Sequence, residues 1–363
     1  MTPPDKNMPE SSKKRYDWID ILKFLSIWGV YMMHSKAYGH AADTITISIL
    51  EAFFFVSGFF FLKGCTEKFL PFVMKKFKQL MLPYYFFLLI YFIPMAYDTA
   101  SRHPDLTKCI LQGICAIRDK VFVAALWFLP CLCVLSIIVY ILKKITDRIA
   151  GRFSLFLLLL LSIAAHAGAS QLQQIFAKYI PQLPGVPFSV DWALYFMFYF
   201  ILGAILFPKL KDLSFAENPP YVRRIFWIPG IAAMIFLFLG IAQHPAFWFY
   251  SKLTAQHTLY PLVIAIKSMI LVYAMICLSK ILENCKLFAD MGRQTLLLCC
   301  TEQLSVLLLT TAVNLLGLKV NLYTPLAAWI WTFGCMYLSC KILIPFFSAN
   351  FPLICGLPPE KGN

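Results

Sequence analysis

Charge is scarce in this sequence. Only 14% of the 363 residues are Asp, Glu, Lys or Arg, where a soluble domain carries about 25%. Hydrophobic residues make up 60%, so a water-soluble globule is excluded and the chain reads as a polytopic membrane protein. Acidic residues are the scarcer sign, 18 against 32 basic ones, for a net charge of +14. The Lys and Arg residues cluster between apolar runs, as they do in cytoplasmic loops, so a lipid bilayer and no nucleic acid is the expected partner. None of the 12 cysteines belongs to a Cys-x-x-Cys pair, which argues against zinc and redox chemistry, and no metal site is expected. Most of the thiols lie inside apolar runs as small hydrophobes. Cys109 and Cys115 share a loop and could pair only in an oxidising compartment. Loops reach about 20 residues, too short to hold a soluble core, and no internal repeat is visible. The N-terminal stretch lacks an apolar h-region and a small-residue cleavage site, so no cleaved signal peptide is expected.

What the chain does have is long apolar runs. Candidate spans near the roughly 20 residues that cross a bilayer fall at about 18–37, 45–63, 82–98, 121–142, 153–169, 190–208, 225–243, 260–281, 294–316 and 323–346. The expected fold is an all-α membrane bundle of about ten transmembrane helices. Basic residues such as Lys13, Lys14, Arg15, Lys63, Lys75, Lys143, Arg223 and Arg293 share one side. The positive-inside rule makes that side cytoplasmic and puts both termini there. Residues 1–17 read as a disordered cytoplasmic tail, 18–348 as the transmembrane domain and 349–363 as a second cytoplasmic tail.

Against this apolar background the ionisable groups inside spans stand out, because they are costly in lipid and usually functional. Lys23 and His34 lie eleven helical steps, about three turns, apart. They project from nearly one face at roughly 16 Å along the axis, Lys23 near the cytoplasmic end and His34 in the outer half. The next span runs back inward and carries Glu51 and a Ser57-Gly58 pair in a run of phenylalanines. Spacing alone places Glu51 near the depth of His34, where a carboxylate on one imidazole nitrogen raises the basicity of the other, as a general base requires. The plainer alternatives are a structural hydrogen bond between helices, or His34 reaching for the outer interface. Asp20 is expected to pair with Lys23 at i+3. Lys267 and Glu302, in consecutive antiparallel spans, are expected at similar depth as a structural clamp or part of an acceptor pocket. His166, His244 and His257 read as surface histidines.

Several of these residues carry a resemblance. Asp20-x-x-Lys23, ten residues, His34, then FFFVSGFFF, is similar to the opening of the acyltransferase-3 family of integral membrane acyltransferases. KKFKQLMLPYY (Lys75 to Tyr85), LWFLP (Leu126 to Pro130) and GRQTLLLCCTE (Gly292 to Glu302) resemble later segments of that family. The resemblance spans most of the chain. It implies about ten helices and transfer of an acyl group, commonly acetyl, from cytoplasmic acyl-CoA to a hydroxyl of a sugar or of a lipid- or polymer-linked glycan. His34, Lys23 and Glu51 become catalytic candidates. Asp20, Ser57, Gly58, Trp127, Lys267, Arg293 and Glu302 become substrate-binding candidates, with Ser57, Trp127 and Lys23 possible oxyanion donors. Two departures matter. Lysines and Gln79 replace the arginines many members carry before the third helix, and Glu302 stands where many members have His.

Elementary chemistry runs the same way. Lys75, Lys76 and Lys78 form a basic patch able to hold the phosphates of acyl-CoA, the expected cosubstrate, with no permanently bound cofactor. They equally suit anionic lipid. The span from Lys23 to His34 is comparable to a pantetheine arm, so a channel from the cytoplasmic face to His34 is expected. The competing function is a transporter or flippase of an envelope glycan or small hydroxylated compound, which two related halves would favour; none are visible. Nothing in the residues fixes an oligomeric state.

Overall fold

A computed structural model describes residues 15–34, 41–102, 106–118, 124–180, 185–211, 219–239, 260–318 and 325–355, and no strand occurs among them. Its first helix, α1 (Asp17–His34), is the axis of the bundle. Apolar residues surround it on every side, so it is buried all round, with Ile21, Leu22, Phe24, Ile27 and Tyr31 all inaccessible. Packed on it are α2 (Ala41–Gly58) and four later helices.

A short basic helix, α3 (Phe69–Lys76), passes through a π-helical turn at Phe77–Met81 into α4 (Leu82–Arg102). After α5 (Leu106–Ile114) come α6 (Phe128–Ala150) and α7 (Ser154–Tyr179). They are split by Gly151, whose φ of +50° an L side chain resists. Next are α8 (Val190–Leu210), α9 (Pro220–Leu239) and α10 (Tyr260–Ile281). The amphipathic α11 (Lys286–Arg293) turns directly into α12 (Thr295–Leu315). Finally α13 (Pro325–Leu338) continues through a second π-helical turn at Ser339–Leu343 into α14 (Ile344–Asn350).

The described part of each of the ten predicted spans falls mainly on helix. Among the described residues, four stretches are long and apolar enough to cross a bilayer: Ala125–Tyr179, Pro187–Leu210, Thr295–Leu315 and Leu326–Asn350. Ile49–Gly58 and Ser268–Ile281 are shorter apolar pieces. The N-terminal tail lies almost wholly outside the described residues, as do His244 and His257. Cys115 is a free thiol.

Close backbone approach explains part of the Phe-Ser-Gly stretch. A Cβ on Gly58 would sit 1.9 Å from the Phe200 carbonyl oxygen, and one on Gly203 would sit 2.0 Å from that of Phe55. Thus α2 and α8 press together through two reciprocal glycines, a membrane-helix solution to close packing. Phe54 stacks on Phe196 at 4.0 Å beside them.

Candidate active site

Spans one and nine make the site, a pairing invisible in chain order. Both α1 and α12 leave the basic face in the same direction, and α1 is tied at three levels to α12 and to α11, the short helix that turns into it. At the basic end, a Cβ on Gly292 would meet the Asp20 carbonyl oxygen at 1.8 Å. Further along, the Tyr31 hydroxyl donates to the Leu298 carbonyl at 2.9 Å. At the far end, His34 Nδ1 lies 2.9 Å from Glu302 Oε1. Glu302 is 1% exposed, and its other oxygen, Oε2, is buried without a hydrogen-bond partner among the described residues.

The carboxylate on His34 is therefore Glu302 and not Glu51. The reason is register: Gly29 of α1 packs against Ile49 of α2. Glu51 then lies opposite about residue 27, roughly 10 Å deeper than His34. There Glu51 is fully buried and accepts a 2.8 Å hydrogen bond from the Tyr195 hydroxyl. The expected surface residue His166 is buried beside it, with Nδ1 2.7 Å from the Tyr195 carbonyl oxygen.

One residue that sequence reasoning missed is Tyr91, on α4. Its hydroxyl donates to the Cys300 carbonyl at 2.8 Å and accepts from the Leu304 amide at 3.2 Å. An uninterrupted helix pairs those two backbone groups directly. Tyr91 thus bridges the α12 ladder across the very turn from which Glu302 projects. No spacing within the chain signals this.

At the basic end, Asp20 gathers cations. It accepts from Arg15 Nε at 3.0 Å and Lys23 Nζ at 3.2 Å, with Arg293 Nε at 3.6 Å. Arg293 also binds Asp17 at 2.9 Å and pairs with Asp290. Its hydrogen bond to Asp17 raises its already high pKa. Beside this cluster opens a cavity of about 1160 Å³. Lys75, Lys78, Gln79, Arg293 and Gln294 form its polar part, and Leu297, Cys340 and Ile344 its apolar wall. Both π-helical turns contribute to it, Lys78 and Gln79 from the first and Cys340 from the second. Such turns are frequent at functional sites.

These basic, polar and buried groups extend over almost the whole chain, and so does a family match: the family model described as an acyltransferase domain covers residues 16–348. The chain belongs to this acyltransferase family. No curated protein and no solved structure matches it. The acyltransferase is thus a multi-pass membrane protein built on an all-α bundle.

The other predicted residues of the acyltransferase are dispersed. Trp127 is buried at the opposite end of the bundle from the lysines, with the Arg118 guanidinium 4.4 Å from its ring and 3.4 Å from that of Trp192. It is not remote from Glu302, since Cys299, one turn earlier on α12, donates to the Ala125 carbonyl at 3.3 Å. The Ser57 hydroxyl donates to its own helix, at the Phe53 carbonyl, and Ser57 lines a second basic-face cavity with Lys76. Lys75 lines both cavities. The Lys267 side chain lies outside the described residues. His34 lines neither of these two cavities.

Proposed function

We propose that this acyltransferase moves an acyl group, acetyl as first expectation, from cytoplasmic acyl-CoA to a hydroxyl of a cell-surface or lipid-linked glycan, acting in the cytoplasmic membrane. The observation that carries the reading is the hydrogen bond between half-buried His34 and buried Glu302, the latter on the helix whose other end borders the 1160 Å³ cavity. In this reading His34 Nδ1–H donates to Glu302, which fixes the tautomer and makes Nε2 the base. Nε2 takes the proton of the acceptor hydroxyl as its oxygen attacks the thioester carbonyl. The C–S bond then breaks, and the imidazolium returns the proton to the departing thiolate, giving the ester and free CoA. Glu302 supplies the role expected of Glu51.

Lys78 and Arg293, with Lys75 once it leaves Glu67, would hold the donor phosphates. From Thr295, the first residue of α12, to Glu302 is seven helical steps, roughly 10 Å; with Arg293 beyond that start, the reach suits a pantetheine arm lying along Leu297. Lysines and Gln79 give a point-charge grip in place of bidentate arginine forks. The unmatched Oε2 of Glu302 is an acceptor that a substrate hydroxyl can satisfy.

The test compares envelope glycans and lipids by mass spectrometry from cells expressing wild type, His34→Ala or neither. An ester-sized mass present only with wild type, at equal expression of both proteins, is expected. Unchanged acylation with His34→Ala would overturn the assignment and favour transport.

A further inference from the structure

The second basic-face cavity, about 690 Å³, lies between the inner ends of α2 and α8 and the segment leading into α3. Four lysines line it, but Lys75 is held by Glu67 at 2.7 Å. Among the described residues, no carboxylate lies within ion-pair distance of Lys63, Lys76 or Lys211. Glu67, the carboxylate in the same lining, is engaged by Lys75, so four lysines share one anion and Lys63, Lys76 and Lys211 have no ion pair of their own among the described residues. Burial lowers the pKa of Lys76 and Lys75 adds to the effect, with Cys133 and Glu67 opposing it. The remaining wall is aromatic: Phe59 stacks on Phe207 at 4.9 Å, and Phe60 meets Phe207 edge-on at 4.9 Å while being 47% exposed. The loop behind is fixed, since the Tyr140 hydroxyl donates to the Glu67 carbonyl at 2.7 Å.

We propose that this cavity binds one anionic phospholipid, its headgroup phosphate between Lys63, Lys76 and Lys211 and an acyl chain along Phe59, Phe60 and Phe207. The charge selects an organic phosphate, and the exposed phenylalanines at the level of the inner headgroups select one with an apolar tail. Acyl-CoA shares the phosphate chemistry, which the test separates. The assignment does not depend on the proposed reaction.

Protein solubilised from equal amounts of phosphatidylglycerol and phosphatidylcholine is analysed by native mass spectrometry. One phosphatidylglycerol per chain should be retained in preference to phosphatidylcholine. A Lys63→Gln/Lys211→Gln variant should weaken retention roughly thirtyfold, about fivefold per lost charge at a surface. Lys78→Gln, in the other cavity, should retain the lipid as wild type does. Equal retention in the double variant overturns the proposal, as does ready displacement of the lipid by acetyl-CoA or by inorganic phosphate. Should the double variant elute as aggregate, Lys63→Gln alone carries the comparison, with a smaller but measurable loss.

Discussion

Glu302→Gln isolates the central pair, because it keeps the side chain's size and reach and removes only its charge. The amide can preserve the 2.9 Å contact by donating to His34 Nδ1. That forces the ring proton onto Nε2 and leaves no lone pair for the acceptor hydroxyl. General-base catalysis contributes about 10²–10⁴-fold, or roughly 2.7–5.4 kcal/mol. A merely structural hydrogen bond between membrane helices is worth about 0.6 kcal/mol and at most about 1.7. Even if all of that appeared in the rate, the loss would stay below about twentyfold. The two roles therefore separate at roughly a hundredfold. The assay is thiol release from acetyl-CoA together with label transfer to acceptor, with gel filtration confirming intact protein. A kcat loss beyond a hundredfold is expected for Glu302→Gln. His34→Ala/Glu302→Gln should be no slower than His34→Ala alone, since groups acting as one unit do not add. Retention of a tenth of wild-type activity by Glu302→Gln, or multiplicative losses in the double variant, would refute the reasoning.

Tyr91→Phe frees Leu304 and Cys300 to pair directly, which shifts the turn bearing Glu302; kcat should fall at least about tenfold with acetyl-CoA KM unchanged, and an unaltered kcat would deny Tyr91 a positioning role. Gly58→Ala or Gly203→Ala drives a Cβ into a facing carbonyl and should cost about 1–3 kcal/mol or more of stability. Gly168→Ala, with open space around it, should instead gain roughly 0.5–1 kcal/mol; thermal melts giving both changes the same sign would contradict this packing. Lys78→Glu should raise acetyl-CoA KM about tenfold at low salt, less at high salt, and leave kcat alone; an unchanged KM would remove the cavity from donor binding. Burial pushes the Cys65 thiol up to about 11, so its thiolate is scarce at pH 8.5, where an ordinary thiol is about half ionised. Its raised value also means that folding stability is lost as pH climbs from the ordinary thiol value towards about 11. Iodoacetamide should label Cys65 on the order of a hundredfold more slowly than a denatured control, and rapid labelling would show the site to be open.

The helices were legible because apolar runs of spanning length have few other uses, and the basic face because Lys and Arg mark it. Individual ionisable groups were legible for the same reason, since Lys23, His34, Glu51 and Glu302 all violate an apolar background. Their partners were not. Spacing relates a residue only to its own helix and, through a short loop, to the next one. That logic set Glu51 against His34 and Lys267 against Glu302. The bundle instead joins α1 to α12, and the register set where Gly29 meets Ile49 leaves Glu51 about seven residues short of His34 in depth. In sequence Gly58 reads with Ser57 as a chemical pair, while its geometry answers to helix packing. Tyr91 gave no signal, because one tyrosine among 17 in an aromatic-rich chain has nothing to distinguish it.

Under the proposed reaction, the triple fastening of α1 to α11 and α12 has a corollary for donor choice. With Asp20 against Gly292, Tyr31 against Leu298 and His34 against Glu302, the basic cavity's inner wall and the imidazole belong to one stiff frame. The interval between them works as a ruler that the protein cannot shorten. Carriers with stubby handles, such as acyl phosphates, would stop short of the base however well their phosphate were gripped.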